Sequence, residues 1–239
     1  MVIHRRTDNG AKVLANQEHI TQLQQGVSCW NTWRSQEHRL QIDLVEANLA
    51  YAEVSKANFS GADLSLANLG GSNLVGANLR EANLTLANLS GSNLSLATFQ
   101  DVTLCMTNLS GTNLSLANLS TVNLSLANLS GANLSGAVLR NANLMGVNLS
   151  GADLTNADLT DANLSGANLN GANLSHAQLC DTELSGANLS GANLTRANLS
   201  GAVLRKTNFN GARLKEADLS NTDLHAVKLD GAILENVKH

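Results

Sequence analysis

From Ile42 to Asn236 the chain is a single pentad, about 39 units long, repeated without a slip of register. A central Leu recurs at Leu64, Leu69, Leu74 and Leu79 and onward, with Phe in its place at Phe59, Phe99 and Phe209. Call that position i. A small residue fills i−2 (Ala62, Ala67, Ser72, Ala77), Asn or Asp fills i−1, and polar residues or Gly mostly fill i+1 and i+2. An α-helix cannot use this period: at about 100° per residue each pentad advances roughly 140° past a full turn, and the Leu spirals over every face. A flat strand fails because its side-chain period is two, and an odd spacing sends successive Leu to opposite sides. Both conflicts vanish if the chain turns a corner once per pentad. Then i−2 and i point inward, i−1 points outward, and i+1 and i+2 form the turn.

The number of corners per coil is written in the glycines. Gly71, Gly91, Gly111, Gly131, Gly151, Gly171, Gly191, Gly211 and Gly231 all occupy i+2 and recur every twenty residues. The apolar i+2 residues Leu66, Leu86, Met106 and Leu126 keep the same interval. Twenty residues are four pentads, so each coil is a square. Gly at the third turn position suits a type II turn, which needs φ > 0 there. Leu at the same position predicts a different turn, hence one regular corner column and more mixed geometry at the others. The inward Thr107, Thr112, Thr182, Thr207 and Thr222 must find backbone carbonyls, since an unpaired buried hydroxyl costs about 1–3 kcal/mol.

The A(D/N)LXX unit resembles that of the pentapeptide-repeat proteins, over about four-fifths of the chain. The resemblance implies an all-β solenoid, a right-handed quadrilateral β-helix. With coils about 4.8 Å apart, roughly ten of them make a rod on the order of 45 Å long. The family includes proteins that bind DNA gyrase and confer quinolone resistance, and many with no assigned role. Some gyrase-binding members carry projecting loops, whereas no insertion breaks the register here.

Residues 1–41 read as an N-terminal arm and helical cap, and 42–239 as the β-helix. Asn9-Gly10 is a turn signal in a weakly patterned arm. Asn16 is placed to cap a short helix over about Gln17–Gln25, with Ile20 and Leu23 on one face and Gly26 ending it. A second helix is expected over Val27–Gln36, with Trp30 and Trp33 at i, i+3 spacing. The stretch from Gly26 to Arg34 resembles a G-V-x-x-W-N-x-W-R lead-in of pentapeptide-repeat proteins. A β-helix end exposes its Leu core and unpaired edges, so terminal repeats need covering. Trp30 and Trp33 are therefore expected to cap the first coil; stacking on a ligand is the other reading.

Charge separates the functional classes. Residues 1–41 hold five basic and three acidic side chains, and 42–239 hold ten and sixteen, a net of −6 on the repeats. Between Ala82 and Leu139 the only charged residue is Asp101. Direct nucleic-acid binding needs a basic stripe and is not expected. Mimicry of DNA needs dense negative charge, about one per 1.7 Å of duplex, which the middle coils lack. A DNA mimic that binds a type II topoisomerase is kept as the alternative because Glu81, Asp101, Asp161 and Asp181 form a local acidic strip.

Catalysis has no support in the pattern. His176, Cys180 and Asp181 share one coil but sit at neighbouring corners of a convex rod, and the six His show no ligand spacing with Cys. No enzyme activity, metal or cofactor is expected. Cys105 and Cys180 lie about three coils apart, on the order of 14 Å, too far for a disulfide. With no signal-like start and no long apolar run, the reading is a cytoplasmic, bacterial protein away from the membrane.

What remains is a structural or protein-interaction module that presents flat faces to an unidentified protein partner. Two outward apolar stripes are its candidate contacts: Leu66, Leu86, Met106 and Leu126 at one corner, Leu96 and Leu116 at the diagonally opposite one. The stripes record either partner docking or duplication of a Ser-Leu-Ala-Asn-Leu unit. Charges crowd the last coils, from Arg205 to Lys238. They fit either protection of an open edge or a polar seam, so the chain is expected to be a monomer or a weak C-terminal homodimer.

Overall fold

Along the repeats residues at i−1 pair in parallel with the residue twenty positions on, from Asp43 with Asp63 to Asp218 with Lys238, with two exceptions given below. The structure is a computed structural model and describes residues 15–37 and 40–239. The interval of twenty makes the coil a square, the right-handed quadrilateral β-helix of the pentapeptide repeats. Each face contributes one bridging residue before the chain turns. We number the faces by their core residues: face 1 carries Leu44 and Leu64, face 2 Leu49 and Leu69, face 3 Val54 and Leu74, and face 4 Phe59 and Leu79. Corner n follows face n.

The inward pattern is strict. Residues at i and i−2 fill a buried core from Ile42 to Leu219, with Ala52 beside the cap partly exposed. Burying a Leu or Phe side chain contributes about 1.5–3 kcal/mol, which is how coils too small to fold alone hold together when stacked. The inward threonines satisfy their hydroxyls on backbone carbonyls: Thr107 on Leu84 at 2.8 Å, Thr182 on Leu159 at 2.9 Å and Thr207 on Leu184 at 2.9 Å. Thr112 and Thr222 bond instead to Leu109 and Leu219 of their own coils, both at 2.6 Å.

The corners differ from the sequence expectation. Every i+2 residue in the ladder has positive φ, whether Gly71 at 64°, Leu66 at 61° or Leu96 at 60°. Leu does not force another turn, because a backbone bond across the turn holds the corner whatever the side chain: Leu96 keeps the geometry without a bond to the next coil, with Ala97 N–H bonded to Leu94 O at 3.1 Å. The N–H of Leu66 donates to Thr85 O one coil on at 3.0 Å, and Ala67 N–H closes the turn on Leu64 O at 3.0 Å. Gly71 does the same with Ser90 at 2.8 Å, and Ser72 with Leu69 at 3.1 Å.

The outward Asn at i−1 has two tasks. Asn148 Oδ1 accepts from Ser150 N–H at 3.2 Å, which holds the turn, and its Nδ2 donates to Asn128 Oδ1 at 3.0 Å in the preceding coil. Repetition of both bonds strings the Asn side chains into ladders, as at Asn88, Asn108 and Asn128 on face 2. Asp and Glu substitute in the turn-holding role at Asp153 and Glu183.

Two helices cover the first coil. α1 spans Gln17–Gln24 and α2 spans Val27–Gln36, with Asn16 Oδ1 accepting from Glu18 N–H at 2.9 Å to cap α1. Ile20, Leu23 and Trp30 are buried; Trp33 is half-buried. The turn signal at Asn9-Gly10 lies outside the described residues.

The coil-to-coil ladder is complete from Leu44 to Lys238 except at two places. One adjoins the final coil, where Val203 and Asp223 do not pair. The other is in the middle of the rod, where Thr98 and Asn118 do not.

Candidate interaction surface

Leu66, Leu86, Met106 and Leu126 stand at corner 1 with 49%, 50%, 45% and 58% of their surface exposed. Leu96 and Leu116 stand at corner 3, exposed by 72% and 74%. All six have φ between 56° and 61°. The left-handed region costs a non-glycine residue about 1–2 kcal/mol, because its Cβ crowds the following carbonyl. Corner 1 shows the cheaper solution three coils in a row, at Gly146, Gly166 and Gly186. The ridge therefore combines backbone strain with exposed apolar surface.

These side chains lean toward the next coil. Leu126 Cδ2 lies 2.8 Å from where a β-carbon on Gly146 would sit, and Leu116 Cδ2 lies 2.7 Å from the same point on Gly136. The four residues of corner 1 recur at each coil and so make a ridge about 15 Å long at 4.8 Å per coil. Met145, at i+1 after Leu144 in the next coil, is also exposed, while Cys105 is half-buried and accepts from Ser125 Oγ at 3.4 Å. Face 2 borders this ridge with the uncharged Asn ladder.

Trp30 and Trp33 do different things. Trp30 packs its ring 5.8 Å from Phe59 and donates Nε1–H to Asn58 O at 2.9 Å. Trp33 lies 5.3 Å from Trp30 and 5.4 Å from His19. Sequence reasoning missed three polar members of this contact. Asn31 imitates a missing coil, accepting from Asn58 N–H at 2.8 Å and donating to Lys56 O at 2.9 Å. Arg34 donates to Ser60 O at 2.6 Å, and burial lowers its pKa from the ordinary arginine value. Asp43 N–H at the edge of face 1 donates to His19 Nδ1 at 3.0 Å. The signal was present in Trp30-Asn31-Thr32-Trp33-Arg34, whose polar residues alternate with the rings.

The acidic residues Glu81, Asp101, Asp161 and Asp181 do share corner 4, with Thr121 and Asn141 between them. Glu81 is paired with Arg80 at 3.0 Å. Beside this column Arg140 at corner 4 pairs with Asp158 on face 4, and each ion is favoured by the other: hydrogen bonding to Asp158 raises the Arg140 pKa. Burial pushes the Asp158 carboxyl up, but its bonds from Thr160 and Arg140 outweigh this and hold it below the usual value. Among the described residues, no hydrogen bond joins His176, Cys180 and Asp181, and no group of three or more His, Cys, Asp or Glu is placed to hold a metal ion. No helix of the described residues is long and apolar enough to cross a membrane.

The pentapeptide-repeat family profile matches the chain in eight copies, over segments running from 41–65 to 197–236. Curated proteins give no match. Among solved structures, HetL is a pentapeptide repeat protein involved in heterocyst differentiation regulation in the cyanobacterium Nostoc sp. strain PCC 7120. It is 35% identical, over 84% of this chain and 94% of HetL, with a TM-score of 0.34. QnrB1, a plasmid-mediated fluoroquinolone resistance protein, is 23% identical over 74% of this chain and 88% of its own, with a TM-score of 0.53, a likeness of fold. With the repeat profile spanning most of its length, this chain belongs to the pentapeptide-repeat family.

Proposed function

We propose that this protein is a non-enzymatic interaction rod that docks a protein partner along corner 1, through Leu66, Leu86, Met106 and Leu126. The observation that carries this reading is contiguous exposure: four large apolar side chains, each about half exposed, occupy the same corner in four consecutive coils. Contiguous exposed apolar surface of this kind often marks an interaction site. Burying the four against a partner contributes several kcal/mol at about 25 cal/mol per Å², before the costs of association. The test is the double variant Leu86→Asp with Leu126→Asp. Both changes lie outside the core, so melting is expected to be retained while partner recovery from lysate falls. Recovery of every wild-type partner by the double variant overturns the proposal.

The acidic column of corner 4 favours a second reading, a DNA mimic directed at a type II topoisomerase. Its charge is interrupted at Thr121 and Asn141 and partly neutralised at Glu81, which weakens that reading. A supercoiling assay with DNA gyrase separates the two. The docking reading expects no inhibition at low micromolar protein, and clear inhibition overturns that expectation.

A further inference from the structure

The mid-rod gap is confined to one side of one coil pair. Five ladder bonds are absent there: Leu96 N–H to Ser115 O, Phe99 to Asn118, Asp101 to Ser120, Asn118 to Ala97 and Asn123 to Val102. They run without interruption from corner 3 across face 4 to the start of face 1. The same two coils remain joined elsewhere, by Leu89 to Asn108 at 2.7 Å, Gly91 to Ser110 at 2.8 Å and Leu94 to Asn113 at 2.9 Å. Where the bonds are missing, a cavity of about 440 Å³ opens, lined by Ala97, Phe99 and the polar Thr98, Gln100, Asn118 and Ser120.

The sequence supplies the wedge. At this corner Phe99 replaces Leu, Val102 replaces Ala, and Val122 replaces Ala one coil on. Neither change opens a seam alone. Phe59 and Phe209 keep their ladder bonds to Asn78 and Lys228 at 2.8 Å, and Val147 accepts from Asn168 N–H at 2.9 Å. Their combination overfills one corner of a close-packed core, which has no spare volume to absorb it. Thr98 removes the local repair. It stands where Asn would hold the Gln100 N–H and receive Asn118 Nδ2, and its hydroxyl bonds back to Asn78 instead, at 3.0 Å. In a solenoid, stability is set by nearest-neighbour contacts, so one weakened interface uncouples the coils on either side of it.

We propose that this seam is a one-sided hinge, at which the cap-bearing part of the rod bends against the distal part. Faces 2 and 3 act as the fixed edge and face 4 opens and closes. The gap passes between Leu96 and Leu116, so the spacing of the corner 3 apolar pair varies with the hinge.

Amide hydrogen exchange of the full chain tests the opening. Phe99, Asp101 and Asn118 are expected to exchange at least ~100-fold faster than their counterparts one coil on, Leu119, Thr121 and Val138, which are bonded. The triple change Thr98→Asn, Phe99→Leu and Val102→Ala restores the repeat and is expected to remove the difference. Bending is read separately, from spin-label distances in a background with Cys29, Cys105 and Cys180 replaced by Ser. Labels at Arg80 and Ser200 span the seam at corner 4; labels at Ser90 and Asn210 span it at corner 2. The first pair is expected to give the broader distribution, and to narrow in the triple variant. Uniform exchange across the three positions, or equally narrow distributions for both label pairs, overturns the hinge.

Discussion

Trp30 donates its indole N–H to the carbonyl of Asn58, a group at the uppermost edge of the repeats with no coil above it. Trp30→Ala is expected to cost about 3–5 kcal/mol locally through the lost packing, and Trp30→Phe about 1 kcal/mol through the lost bond. Because stacking is nearest-neighbour, the damage appears as faster exchange over residues 44–61 more than as a shift of the main melting transition. Deleting residues 1–41 is expected to cause self-association in size-exclusion chromatography. A truncated protein that stays monomeric with unchanged melting shows that the first coil needs no cover.

The strain at corner 1 has a measurable sign. Asn tolerates left-handed backbone better than Leu, so Leu86→Asn is expected to raise stability by about 0.5–1 kcal/mol in denaturant unfolding. The same variant is expected to weaken partner recovery. A loss of stability would mean that the half-buried Leu86 side chain contributes more than its backbone costs.

Asn148 occupies a ladder rung with three side-chain bonds, to Ser150, Asn128 and Asn168. Asn148→Ala is expected to cost about 1–2 kcal/mol, and Asn148→Asp less, because a carboxylate still holds the turn. Thermal melting of the two variants side by side checks the order.

Acid is expected to loosen the distal coils first. Bonds from Ser220 and then from Lys238 lower the Asp218 carboxyl to about 2, and hydrogen bonding from Arg196 lowers that of Glu216. A depressed carboxyl stabilises the fold above its unfolded value, and the contribution disappears as pH falls through the folded value. For Asp218 the window runs from roughly pH 4 down to pH 2. Asp218→Asn is expected to flatten the melting-temperature profile across that window, while a parallel slope in both proteins would exclude Asp218 as the cause.

The square coil was legible because Gly71, Gly91 and their successors mark the same corner every twenty residues. The uniform corner geometry was not. Leu66 and Gly71 differ greatly in their preference for positive φ, but the same turn-closing bond, from Ala67 to Leu64 and from Ser72 to Leu69, and the stacking of the coils impose one geometry on both. The role of Asn at i−1 was hidden for a similar reason, since the bond from Asn148 to Asn128 joins residues twenty apart. The gap at Thr98 was written in local departures from the repeat, but Phe in the core at Phe59 and Phe209, and Val at Val147, leave the ladder intact elsewhere in the rod. Only their meeting at one corner opens it.

The pairing of each residue with the one twenty positions on makes the coil the indivisible unit of length. Excising four consecutive pentads shortens the rod and leaves every remaining side chain on its own face. Excising one pentad is a rotation: everything downstream turns by a quarter, so that Met106 and Leu126 leave the line of Leu66 and Leu86. Chains of this kind can therefore grow or shrink freely in whole coils, whereas a change of five residues redraws the surface while leaving the core intact.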